Sequence, residues 1–282
     1  MFKAAAWSKD ANIYEVNVRQ YTKEGTFAAF AKCLPRLKDM GVEILWLMPV
    51  TPISVEKRQG TLGSYYSCSD YLSVNPEFGT LDDFKNLVKQ VHELNMKIII
   101  DWVANHTGWD HVWVMEHADW YIKNEEGNFT EENNWIDVID LNYENNDMRA
   151  AMIDAMKFWI ENCDIDGFRC DMAHLVPLDF WRDARKQCDK IKSLFWLAES
   201  DVELYHEVFD VTYAWHWMHT TENMMTGKAT LQDVKDVLLK MPSGIKKLYF
   251  TSNHDENSWN GTEYEKYGDA AYTMAVFACT WP

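Results

Sequence analysis

The sequence predicts an α/β fold in which parallel strands are joined by helical crossovers. Three observations carry that expectation: short apolar segments alternate with amphipathic ones, the amphipathic ones have helix start signals, and 282 residues can bury a large core. The length suits one barrel-sized domain as well as two ordinary ones.

Seven strand candidates follow one another: Ile13–Val18, Ile44–Met48, Lys97–Val103, Gly167–Asp171, Phe195–Glu199, a weaker one near Val208–Thr212, and Leu248–Ser252. Between the second and third, Thr80 caps a helix while Asp83 reaches back, and Phe84, Leu87, Val88, Val91 and Leu94 form its buried stripe. Met148, Met152, Ala155, Met156, Trp159 and Cys163 mark a long helix leading into the fourth strand. Pro35 interrupts the helical stretch from Phe27 to Met40, which predicts a kink or a shorter helix. The segment 106–140 has no sustained period and is rich in Trp, Asn, Glu and His; it reads as a short insertion after the third strand. Residues 1–105 and 141–282 would then be the two parts of the main domain, ending in a helix over Ala270–Thr280.

Composition narrows the partners. With 47% hydrophobic residues and no low-complexity run, the chain has the make-up of a globular protein, and no apolar run approaches the roughly 20 residues of a bilayer-spanning helix. A net charge of −17 repels phosphate backbones and anionic lipid surfaces, so nucleic acid and membranes are poor partners and a neutral ligand is favoured. The 14 Trp, 13 Tyr and 13 Phe offer flat apolar faces on which a sugar can stack, although ordinary core packing accounts for most such rings. Six cysteines without C-x-x-C or framework spacing point to free thiols. The start Met1–Ala6 lacks the apolar segment of a secretory signal, so a cytoplasmic location is expected, or a secreted or periplasmic one if a signal has been removed.

The chemistry sits at strand ends. In Gly167-Phe168-Arg169-Cys170-Asp171 the pleat puts Arg169 and Asp171 on one face, where the guanidinium favours an ionised carboxylate, as a nucleophile requires; a structural ion pair is the plainer reading of that spacing alone. Asp101 with Asn105 and His106, Glu199, and Asn253-His254-Asp255 occupy three further strand ends. If the strands are parallel, these ends converge, and several acids in one low-dielectric pocket force one carboxyl to hold its proton. An ionised nucleophile beside a protonated acid is the pairing of glycoside hydrolysis. A metal site is the competitor, yet there is no H-E-x-x-H or Cys/His pairing, and no phosphate-cradling loop. His216 and His219, one helical turn apart, read as a solvated or core pair.

These segments resemble the α-amylase superfamily, bacterial α-amylases most closely, over almost the whole chain. GVEILWLMP (41–49) is similar to its second strand and YLSVNPEFGT (71–80) to the approach to its second helix. DWVANH (101–106), GFRCDMAH (167–174), LAE (197–199) and FTSNHD (250–255) resemble its four catalytic segments in order. The resemblance implies a (β/α)8 TIM barrel, here incomplete with strands one to seven, and retaining cleavage of α-1,4 bonds in starch, glycogen or maltooligosaccharides. An α-glucanotransferase, an α-1,6- or α-1,4-glucosidase, and a non-catalytic relative or inactive fragment are the alternatives. It implies that Asp171 forms the glycosyl intermediate, that Glu199 is the acid/base and that Asp255 stabilises the transition state. Arg169 would orient Asp171, with Asp101 beside them. His106, His174 and His254 would bind sugar hydroxyls, and Tyr66 would stack on the ring.

The family often holds calcium between barrel and insertion, here through Asn105, Asp140 in VIDLN (138–142) and His174; calcium takes about six to eight oxygens, and three can be matched. Three departures bear on specificity: Ala173 where many endo-acting members have Lys, Met172 after the nucleophile, and a short insertion that implies an open cleft. The eighth strand and the family's C-terminal β-domain are not matched, so a fragment is expected.

Overall fold

The computed structural model describes residues 2–240 and 244–281, so the chain's ends at Met1 and Pro282 lie outside the described residues. The chain divides into two compact units, Met1–Trp196 and Leu197–Pro282.

In the first unit β1 (Ile13–Val16), β2 (Ile44–Leu47), β3 (Lys97–Trp102) and β6 (Gly167–Cys170) pair in parallel in that order. Segment 106–140 holds a small antiparallel pair, β4 (His106–Gly108) with β5 (Val138–Asp140). β2 is buried along its whole length and reads Ile-Leu-Trp-Leu, the unbroken apolar run of a strand covered on both faces. β7 (Phe195–Ala198) opens in this unit, where the Phe195 amide donates to the Asp166 carbonyl at 2.9 Å. That approach explains Gly167: a Cβ there would lie 2.0 Å from the Phe195 carbonyl oxygen.

The helices form where local chemistry demanded. Thr80 and Asp83 make a reciprocal capping box at the start of Leu81–Glu93, whose Phe84, Leu87, Val88 and Val91 are buried while Leu94 is half-buried. The long helix Asn146–Cys163 buries all six residues of the expected stripe and ends where Asp164 turns left-handed at φ 57°. Pro35 does more than kink its stretch. The chain forms two helices, Phe27–Ala31 and Leu34–Asp39, with the proline in the first turn of the second, where its missing N–H costs nothing.

At the strand starts, the end opposite Asp101 and Asp171, buried Asp166 joins β3 and β6. Its carboxylate meets His92 at 2.7 Å, Lys97 at 3.1 Å and Lys192 at 3.0 Å, and accepts the Ile98 amide at 3.0 Å. Burial alone would raise its pKa, but these partners outweigh burial and hold it at about 2.

In the second unit the end of β7, β8 (Val211–Tyr213) and β9 (Lys247–Leu248) pair in parallel. The core here is Ala214, Trp217, Met218, Val234, Tyr267, Ala271 and Met274. β9 is shorter than the apolar run Leu248–Ser252 and starts one residue earlier. Its partner β8 has three residues and passes into the helix Trp215–Met225, and the Ala214 amide donates to the Leu248 carbonyl at 3.0 Å. Ala271–Thr280 is a helix, as expected.

Seven parallel strands separated by helices make the incomplete (β/α)8 class that the sequence implied. All six cysteines are free thiols, and among the described residues no helix is long and apolar enough to cross a membrane.

Candidate active site

β6 ends at Cys170, and its pleat sends Arg169 and Asp171 to the same side. Arg169 Nη1 donates to Asp171 Oδ1 at 2.8 Å and to Asp101 Oδ1, at the matching register position on β3, also at 2.8 Å. Arg169 is fully buried, and Asp101 and Asp171 are nearly so. Asp101 is held from its other oxygen as well: Oδ2 accepts the Trp46 indole N–H and the Tyr66 hydroxyl, each at 3.1 Å. The guanidinium also lies 4.9 Å from the Trp46 ring centre. The outcome is a dry, charge-coupled array in which Asp101 fixes Arg169 and Arg169 fixes Asp171.

Tyr66 thus binds Asp101 through its hydroxyl, and its ring is half-buried beside the array. Burial, then the neighbouring Asp101 charge, pushes that phenol well above its ordinary pKa, so it stays a donor. His106 is buried in β4; burial pushes its imidazole down to about 4, which keeps it neutral near pH 7. The loop between β3 and β4 is held from below by Tyr71, whose hydroxyl donates to the Val103 carbonyl at 2.7 Å, and by Tyr143, which reaches the Ala104 carbonyl at 2.6 Å. Met172, directly after Asp171, is left-handed at φ 40°, a strained backbone for a side chain of this size. The following turn, Ala173–Leu175, leaves His174 exposed, while Ala173 is buried under Trp181, whose indole N–H donates to its carbonyl.

Two of the predicted carboxylates belong to the second unit. Glu199 follows the last residue of β7 and is 4% exposed. Asp255 sits in the first turn of the helix His254–Trp259, capped by Asn253, and its Oδ2 lies 3.4 Å from His254 Nε2. Glu256, buried in the same turn, pairs with buried Lys266 and accepts the Asn260 amide at 3.1 Å. His216 and His219 serve locally: the His216 backbone binds Asp201, and His219 stacks on Trp215.

The calcium set is brought together in part. Asn105 Nδ2 donates to Asp140 Oδ1 at 3.3 Å, and Asp140 Oδ2 accepts the Glu132 amide at 2.9 Å. Burial, with Glu131 and Glu132 nearby, raises the Asp140 carboxyl to about 6. Both oxygens of Asp140 already face N–H groups, and among the described residues no group of three or more His, Cys, Asp or Glu is arranged for a metal. Calcium takes about six to eight oxygen ligands, of which Asn105 and Asp140 would be two, and exposed His174 lies in the turn after Asp171.

Sequence reasoning missed Trp46 and the Glu256–Lys266 pair. A signal existed for the first, since a Trp inside a fully buried strand needs a partner for its N–H. For the second there was none, because nothing in residues ten positions apart announces an ion pair.

The family model for the α-amylase catalytic domain matches residues 8–235. This chain belongs to the α-amylase family. Alpha-amylase 3 of Dictyoglomus thermophilum is 32% identical over 239 residues, covering 73% of this chain and 45% of its own length. The crystal structure of an α-amylase from Lactobacillus plantarum superposes with a TM-score of 0.83 at 40% identity, covering 87% of this chain and 63% of that one. A noncanonic maltogenic α-amylase from Thermotoga neapolitana gives the same TM-score at 41% identity, covering 88% and 60%. The chain therefore spans roughly half to two thirds of the length of these family members.

Proposed function

We propose that this chain carries the catalytic machinery of a retaining glycosidase that cleaves α-1,4-glucosidic bonds in starch, glycogen or maltooligosaccharides. The observation that supports the reading is the buried Asp101–Arg169–Asp171 array, in which a guanidinium orients a carboxylate at the C-terminal end of a barrel strand. The α-amylases among its relatives support the choice of substrate.

In the first step an Asp171 oxygen attacks the anomeric carbon. The bond to the glycosidic oxygen breaks, and Glu199 gives its proton to that leaving oxygen. In the second, Glu199 takes a proton from water, whose oxygen attacks the anomeric carbon and releases Asp171. In this cycle Glu199 starts protonated, and it is 4% exposed. Asp255 and His254 bind hydroxyls of the ring and strengthen their hold in the transition state, while His106 hydrogen-bonds the same sugar, Tyr66 stacks on it and His174 binds a substrate hydroxyl. Arg169 orients Asp171 through their hydrogen bond.

Replacing Asp171 by Asn tests the reading. Turnover of a nitrophenyl maltooligosaccharide should fall by about 10⁴-fold or more while binding persists; unchanged turnover would sink the assignment. Product analysis on maltoheptaose then separates hydrolysis, which yields shorter chains, from glucan transfer, which also yields longer ones.

A further inference from the structure

We infer that Trp135 is the stacking platform of a glucose-binding subsite beside His106. The inference rests on the α-glucan reading above and adds a residue that none of the catalytic segments contains.

The insertion carries four tryptophans outside its short strands, and three have their rings engaged. Trp113 packs against Tyr71, His111 and Trp120 at 4.9–5.0 Å, and Trp120 also stacks on His117 at 3.9 Å. Trp109 has the Lys57 ammonium 3.0 Å above its ring and Phe129 edge-on. Trp135 is half-buried like Trp109 and Trp113, but differs in its contacts: its ring contact among the described residues is with His106, at 5.3 Å and 64°. A T-shaped contact of that kind occupies less of an indole's faces than a parallel stack does.

The backbone around Trp135 is tied on both sides. The Val138 amide donates to the Trp135 carbonyl at 3.1 Å, the Trp109 indole N–H to the Ile136 carbonyl at 3.2 Å, and the Ser67 hydroxyl to the Asp137 carbonyl at 2.8 Å. Upstream, the Glu132 amide is held by Asp140. A segment whose backbone is tied in this way loses little freedom when a ligand reaches a ring it carries, which favours affinity. A neutral, flat, apolar face suits the hydrogen-bearing face of a pyranose, and His106 at its edge can hydrogen-bond a hydroxyl of the adjoining ring.

Calorimetric titration of maltoheptaose into the Asp171→Asn chain, alone and combined with Trp135→Phe or Trp135→Leu, tests this. The Phe variant should bind within about threefold of its parent and the Leu variant about tenfold or more weakly, because Leu keeps apolar bulk but lacks a ring face. Equal affinity for the Leu variant and its parent would overturn the platform and leave the α-glucan reading standing. If the folded Asp171→Asn parent does not bind maltoheptaose, the α-glucan reading fails and the platform with it.

Discussion

Arg169 gives one nitrogen, Nη1, to two carboxylates at once, Asp101 and Asp171, each at 2.8 Å. A single guanidinium shared in a dry site couples β3 to β6 and makes the two acids one electrostatic unit. Replacing Arg169 by Lys keeps the charge but cannot span both partners from one planar fork. The expected result is a loss of about 10²-fold or more in kcat/KM and a stability loss of about 3 kcal/mol. Steady-state kinetics alongside urea unfolding would check it, and wild-type values for the Lys variant would refute the coupling.

His111 is fully buried, accepts the Trp113 amide at 3.1 Å, and packs against the rings of Tyr71 and Trp113. Burial pushes its imidazole down from 6.5 to about 3. A depressed histidine pKa means that the unfolded chain binds the proton first, so this stability is present above pH 6.5 and drains as pH falls towards 3. Its share of the loss at pH 5 is about 2 kcal/mol. Melting curves at pH 7 and pH 5 should converge for His111→Phe relative to wild type; an equal drop in both would place the acid sensitivity elsewhere.

Asp166 works the other way. Held at about 2 against an ordinary 3.8, it contributes stability that is complete above pH 3.8 and lost as pH falls through 2. Asp166→Asn should cost about 3 kcal/mol at pH 7, since His92, Lys97 and Lys192 lose a buried anion, and the penalty should shrink towards pH 2. A penalty that stays constant from pH 7 to pH 2 would rule this out.

Gly167→Ala forces a methyl group against the Phe195 carbonyl oxygen, where the ideal Cβ position is 2.0 Å away. Backbone cannot yield as a flexible side chain can, so a loss of about 2 kcal/mol or more is expected. Denaturant midpoints would measure it, and a loss below about 0.5 kcal/mol would show that the strands part without cost.

Much of this molecule was written locally. The Thr80–Asp83 capping box, the Met148-to-Cys163 stripe and the break at Pro35 each depend on side chains within a few positions of one another, and each appears in the structure. The pairing of Arg169 with Asp171 was likewise legible, because residues two apart on a strand share a face. What the sequence could not decide was everything set by distance along the chain. Asp101 reaches Arg169 across 68 positions, and Trp46 reaches Asp101 across 55; parallel register alone brings them together. β9 is limited to Lys247–Leu248, paired with Thr212 and Tyr213 of β8, and segment 106–140 is packed through aromatic contacts such as Trp113 against Trp120 that no local period announces. Local rules determined the elements and the residue types at their ends. Tertiary structure determined which of those ends share a hydrogen bond, because only packing removes the water that would otherwise stand between them.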